Sequence, residues 1–158
     1  MAARSQTTEA DAEKVICLLR RQVGIYTHLE KLSGRQRDLI AAEDQQQLLT
    51  LLAERQKLVD ELGALNQGLV PLQEYWRANR ETVAPLLRTE ADQLVGCAGE
   101  ILQRILGADE QDARILSARK AQTANQVTAL AQSRQAFDAY GAGGRTHQRQ
   151  LVRTDESA

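Results

Sequence analysis

Residues 15–70 read VICLLRRQVGIYTHLEKLSGRQRDLIAAEDQQQLLTLLAERQKLVDELGALNQGLV. Within them Leu18, Gln22, Ile25, Leu29, Leu32, Gln36 and Leu39 recur at alternating steps of three and four. That is a heptad seam, the pattern that brings one face of a helix against a neighbour, with polar interruptions at Gln22 and Gln36. Tyr26 and Ile40 lie beside the seam and widen its apolar stripe. Leu48, Leu51, Arg55, Leu58, Leu62, Leu65 and Leu69 repeat the period, with Leu52 and Val59 alongside. Only the stretch from Ala41 to Asp44 separates the two seams, and Asp44 is suited to accept from the free amides of the helix after it. Helices joined by so short a turn run antiparallel, so the segment reads as a helical hairpin. A glutamine in a seam costs stability and can fix register, which makes Gln22 and Gln36 candidate specificity devices, with exposed seam ends as the alternative.

Working outward, the first helix is expected to begin near Thr8, because Glu9, Asp11 and Glu13 suit the positive end of a helix dipole. Downstream, Gly68 and Pro71 predict a break or kink. The segment from Leu72 to Arg80, with Tyr75 and Trp76, is a short helix or a continuation of the second. Pro85 fits the first turn of a further helix with Thr82 as its cap. Leu87, Ala91, Leu94, Ala98, Ile101 and Ile105 resume heptad spacing, and Gly96 and Gly99 suggest close helix approach. Gly107 and Asp109 predict a stop and a fresh cap, with one long bent helix as the alternative. From Glu110 to about Tyr140 the period persists through Leu116, Arg119, Thr123, Gln126, Leu130, Ser133, Phe137 and Tyr140, at half the apolar content. Beyond it GAGGRTHQRQLVRTDESA has no period and predicts a disordered tail.

The expected fold is therefore all-α: an antiparallel hairpin within an elongated, coiled-coil-like helix bundle, followed by an amphipathic C-terminal helix. One domain is expected over 1–141, with helices at about 8–41, 44–68, 72–106 and 110–140, and the tail over 142–158. Only two prolines and 3% aromatic residues fit long helices better than a thick globular core. A net charge of −1 offers no field for nucleic acid or an anionic membrane. No apolar run approaches the roughly 18 residues of a membrane span. Residues 1–14, MAARSQTTEADAEK, lack the apolar core of a signal peptide, so a cytoplasmic location is expected.

No constellation for catalysis, cofactor or metal stands out, and an enzyme is not expected. Cys17 and Cys97 lack metal spacing and read as small core residues. His28 and His147 are isolated and read as surface histidines. The GAGG run at 141–144 lacks the strand, the helix and the Lys-Ser/Thr signature of a phosphate loop.

Two features carry a resemblance to a known family. One is the opening pair of leucine- and glutamine-rich helices, IYTHLEKLSGRQRDLIAAED and LLTLLAERQKLVDEL, with acid at the turn. The more specific one is Tyr140-Gly141-Ala142-Gly143-Gly144-Arg145-Thr146, a polar amphipathic helix ending on Tyr-Gly-x-x-Gly. Together, over Val15 to Thr146, the chain resembles the FlgN family of flagellar export chaperones. The segment with Tyr75, Trp76 and Pro85 contributes least. The resemblance implies binding to the C-terminal helical segments of hook–filament junction proteins, which are kept from assembling early. It also implies delivery of them to the flagellar type III export gate. It places client binding in the C-terminal half and gate docking on the tyrosine before the glycines, here Tyr140.

The under-filled last helix suits such a role, since an amphipathic helix binds by laying its apolar face against a partner. Ile115, Leu116, Val127, Leu130 and Phe137 are the expected client-binding stripe, with Arg119 and Arg134 flanking it to meet client carboxylates. The alternative is that this stripe packs on the chain's own hairpin and completes a four-helix bundle. Two other functions stay open: a chaperone for another flagellar export substrate, and a structural coiled-coil adaptor that self-associates. Pairing within one chain and between two copies uses the same seam residues, so a homodimer stands beside the monomer.

Overall fold

The computed structural model describes the backbone of residues 2–155 and the side chains of residues 9–136 and 139. Among these the chain forms helix α1, Ala2–Ala41, helix α2, Gln45–Asn79, a single 3-10 turn, Arg80–Thr82, and helix α3, Pro85–Asp155. No described residue is in a strand, so the all-α expectation holds. The chain divides into two compact units, Met1–Ala113 and Arg114–Ala158. The expected disordered tail at 142–158 lies outside the residues whose side chains are described.

The first unit is an up-down-up bundle of three helices. Side-chain links show the directions. Arg20 meets Glu90, Glu30 meets Arg104, Arg37 meets Gln111 and Gln36 meets Asp112, at separations of 70 to 76 residues. A nearly constant offset means that α1 and α3 run parallel. Between α2 and α3 the sense is opposite: Arg55 pairs with Asp109, and Arg80, just past α2, pairs with Asp92.

The α1–α2 turn explains the hairpin. Ala42 ends the helix, Glu43 adopts a left-handed φ of 57°, and two backbone bonds close the end. Glu43 N–H donates to the Ile40 carbonyl at 3.2 Å, and Asp44 N–H to the Leu39 carbonyl at 3.1 Å. This is the Schellman arrangement, which satisfies carbonyls left over at a helix C-terminus, built here with Glu in the position glycine usually takes. Asp44 then caps α2 as expected, its Oδ1 accepting from Gln47 N–H at 3.1 Å.

Two core clusters fill the bundle. One joins Tyr26, Leu29 and Leu32 to Leu51, Leu58, Ala98, Ile101 and Ile105. The other joins Val15, Ile16 and Leu19 to Leu65, Leu69 and Ala91, with Trp76 and Leu87 packed against it. The α2 and α3 seams point inward as their spacing predicts. On α1 the buried line is shifted. Leu19, Tyr26 and Ile40 are buried, whereas Leu18, Ile25 and Leu39 are half-buried at the edges. A helix that packs against two others needs a stripe wider than one seam, and the residues beside the seam take its centre.

Several local expectations differ from the structure. Helix α1 begins at Ala2 rather than near Thr8. Helix α2 runs unbroken through Pro71. An interior proline costs about 3 kcal/mol. The helix around it buries Leu65 and Leu69 and packs Leu72 and Trp76, and a large buried side chain contributes about 1.5–3 kcal/mol. Burial wins. Helix α3 likewise continues through Gly107. No glycine among the described residues has a positive φ, the conformation that a glycine stop requires. Thr82 does not cap α3; its hydroxyl donates to the Asn79 carbonyl at 2.7 Å.

Gly96 and Gly99 do not serve close helix approach either. A Cβ at either position would meet nothing within 4 Å, because both lie on the outer face of α3. Cys17 and Cys97 are exposed free thiols rather than core residues. Each stands one residue off the buried line, beside Ile16 and Ala98.

Candidate functional site

Within the second unit, Ile115, Leu116, Arg119, Thr123, Val127, Leu130 and Arg134 fall on one face of α3, because steps of three and four return to the same side of a helix. Ile115 is 40% exposed, Leu116 44%, Val127 60% and Leu130 70%. None of the described residues from Arg114 to Ala136 is buried, and only Arg119 is half-buried. The alanines at 118, 121, 124, 129 and 131 hold the helix by propensity without adding bulk. Thus four expected stripe residues share an exposed apolar face, with Arg119 within it and Arg134 beside it. Phe137 and Tyr140 lie outside the residues whose side chains are described.

The first unit ends on a polar layer built from all three helices. Arg55 of α2 makes a two-pronged contact with Asp109, the Nη1–Oδ1 distance being 2.7 Å. The same Nη1 donates to Gln36 Oε1 at 2.6 Å. Gln36 Nε2 in turn donates to Asp112 Oδ2 at 2.9 Å, and Arg37 Nε lies 3.7 Å from Asp112 Oδ1. Asp112 is only 2% exposed. The bond to Asp109 holds the Arg55 guanidinium above its ordinary value, against the opposing effect of burial and with further help from Asp112. Arg55 therefore stays charged across the neutral range. A charge in a core seam is tolerated only when matched in this way.

Both polar seam positions bond across helices: Gln36 links three of them, and Gln22 donates to Asn66 Oδ1 at 3.0 Å. Asp112 is absent from the expected functional set. Its signal was present, since it stands seven residues after Ile105 on the same seam.

No metal-holding group of His, Cys, Asp and Glu occurs among the described residues. His28, half-exposed, faces Glu54 at 3.7 Å. Nor is any helix among the described residues long and apolar enough to cross a membrane.

A family model described as FlgN protein matches residues 8–148. No curated protein matches the chain, and no solved structure does.

Proposed function

The chain belongs to the FlgN family of flagellar export chaperones, and from that premise we propose a specific client and site. The clients are the C-terminal helical segments of hook–filament junction proteins, held back from premature assembly and delivered to the flagellar type III export gate. The family is one of chaperones, not of enzymes. The client helix covers the face bearing Ile115, Leu116, Val127, Leu130 and Phe137, while Arg119 and Arg134 meet carboxylates at its rim. Tyr140 is the gate contact, and the work is done in the cytoplasm.

The observation that carries this reading is the exposed apolar face of residues 115–130. Four large apolar side chains left in water on one helix are a standing drive to recruit a partner, about 1.5–3 kcal/mol for each one fully buried. An amphipathic helix is a usual means of gripping another helix.

The test is size-exclusion chromatography with light scattering on the full chain mixed with junction-protein C-terminal segments. The wild type runs beside a Leu130→Asp, Phe137→Asp double variant. A stoichiometric complex that the double variant loses supports the reading. A complex that survives the double variant moves the site elsewhere.

One observation favours a second reading, self-association as a coiled-coil adaptor or homodimer. Leu49, Leu52, Val59 and Val70 stand exposed along α2, each one residue beyond a buried or half-buried seam position. A stable dimer of the chain alone, unaffected by junction-protein segments, would support that reading instead.

A further inference from the structure

The charge balance of −1 conceals a division along the chain. Residues 1–113 carry 13 Lys and Arg against 18 Asp and Glu, whereas residues 114–158 carry 7 against 3. The change of sign is abrupt within α3. From Pro85 to Asp112 the helix has six acidic and two basic residues. From Arg114 to Ala136 it has Arg114, Arg119, Lys120 and Arg134 and no acidic residue at all.

The first unit shows what such charges do at a helix–helix seam in this protein. Four acids of α3 are met by arginines of the packed elements: Glu90 by Arg20, Asp92 by Arg80, Asp109 by Arg55 and Asp112 by Arg37. The basic residues of that stretch are met by acids, Arg104 by Glu30 and Arg88 by Glu81. Each cross-element ion pair places opposite sign beside an apolar contact, at its edge for Glu90 and Asp92 and inside the seam for Asp109 and Asp112. Past Ala113 the sign of α3 is reversed: Arg119, Lys120 and Arg134 stand within or beside the apolar face, whereas Arg114 falls on the opposite side of the helix, so a helix lying along that face meets a basic border.

We propose that the partner of residues 114–136 is an amphipathic helix whose apolar stripe is bordered by Asp and Glu, and that this border selects it. The inference rests on the client-binding reading of the same face and adds the chemistry by which clients are distinguished. Rim charges set specificity and association rate more than total affinity, because solvent screens them and the apolar stripe supplies the bulk of the contact. An apolar helix with a basic border has the right shape and the wrong sign.

The experiment uses the full chain and two synthetic helical peptides with the same heptad of leucines. One carries Glu at the bordering positions, the other Lys. Dissociation constants are read by fluorescence anisotropy at about 50 mM and about 500 mM salt, where the screening length falls from roughly 14 Å to 4 Å. The Glu peptide is expected to bind about tenfold tighter at low salt, the scale of a few exposed pairs, with the gap closing at high salt. The Lys120→Glu, Arg134→Glu variant is expected to reverse the preference while its circular dichroism stays helical.

Equal binding of the two peptides would overturn the inference and leave the client-binding reading standing. So would binding of the junction-protein segments with neither peptide bound. If neither the peptides nor those segments bind, both fall together. Salt-sensitive self-association of the chain alone, with no preference between the peptides, would replace the client with the acidic first unit of a second copy.

Discussion

Gln36 and Asp112, 76 positions apart, meet inside the bundle through a 2.9 Å hydrogen bond that ties α1 to α3 at the last buried layer of the first unit. The other oxygen of Asp112 has no hydrogen-bond partner, only the 3.7 Å approach of Arg37 Nε. Among the described residues, Gln36 is therefore the neutral donor that satisfies this buried carboxylate.

That arrangement predicts strong coupling. Gln36→Leu leaves Asp112 buried without its donor and should cost about 2–3 kcal/mol, since an orphaned buried acceptor loses its full solvation. Asp112→Leu alone should cost less, because Gln36 keeps its bond from Arg55. Urea denaturation of both single variants and the double should yield a coupling energy of about 1–3 kcal/mol. Additive values would show that the two residues act independently.

The α2 cap is isolated enough to be measured by itself. Asp44→Ala removes the acceptor for Gln47 N–H and should lower stability by about 1 kcal/mol. Asp44→Asn or Asp44→Ser should restore most of it. A loss that all three substitutions share equally would point to charge rather than to capping.

Pro71 and the helical glycines mark positions where burial has overridden local preference. Pro71→Ala restores an amide donor inside α2 and should raise stability by about 1–3 kcal/mol. Gly99→Ala and Gly107→Ala, each with open space around the new Cβ, should each add about 0.5–1 kcal/mol. Thermal unfolding of the three variants separates the effects, and a fall in midpoint at Gly99 or Gly107 would reveal contacts the free bundle does not show.

If a client covers the last helix, protection must change there. Amide exchange in residues 114–136 should be fast in the chain alone, because no described side chain in that stretch is buried. Adding junction-protein C-terminal segments should slow it by at least about tenfold, with little change around Leu58 and Ile101 in the core. Identical exchange with and without the segments would remove the client from this helix.

Much of the fold was legible because a heptad is a local statement. Leu51, Leu58, Leu65 and Leu69 on α2, and Ala91, Ala98, Ile101 and Ile105 on α3, face inward as their spacing requires. The short turn with Asp44 made α1 and α2 antiparallel without reference to anything distant. The face of Ile115, Leu116, Val127 and Leu130 was legible for the same reason. Its exposure was not, since periodicity tells which residues share a side and says nothing about what covers them.

Sequence by itself determined helix identity, the hairpin and the inward-facing seams, all of which depend on neighbours within about seven residues. Apart from the turn at Ala41 to Asp44, tertiary structure decided where helices run on and which polar groups meet. Pro71 stays helical because Leu65 and Leu69 before it are buried and Leu72 and Trp76 after it pack on the core, an energy that no local preference records. Tyr26 moved to the centre of α1 because two helices, not one, pack against that face. Gln36, Arg55, Asp109 and Asp112 became one network because the bundle closed around them. Which polar group meets which across 54 or 76 positions is a matter of three-dimensional register, and only the folded chain supplies it.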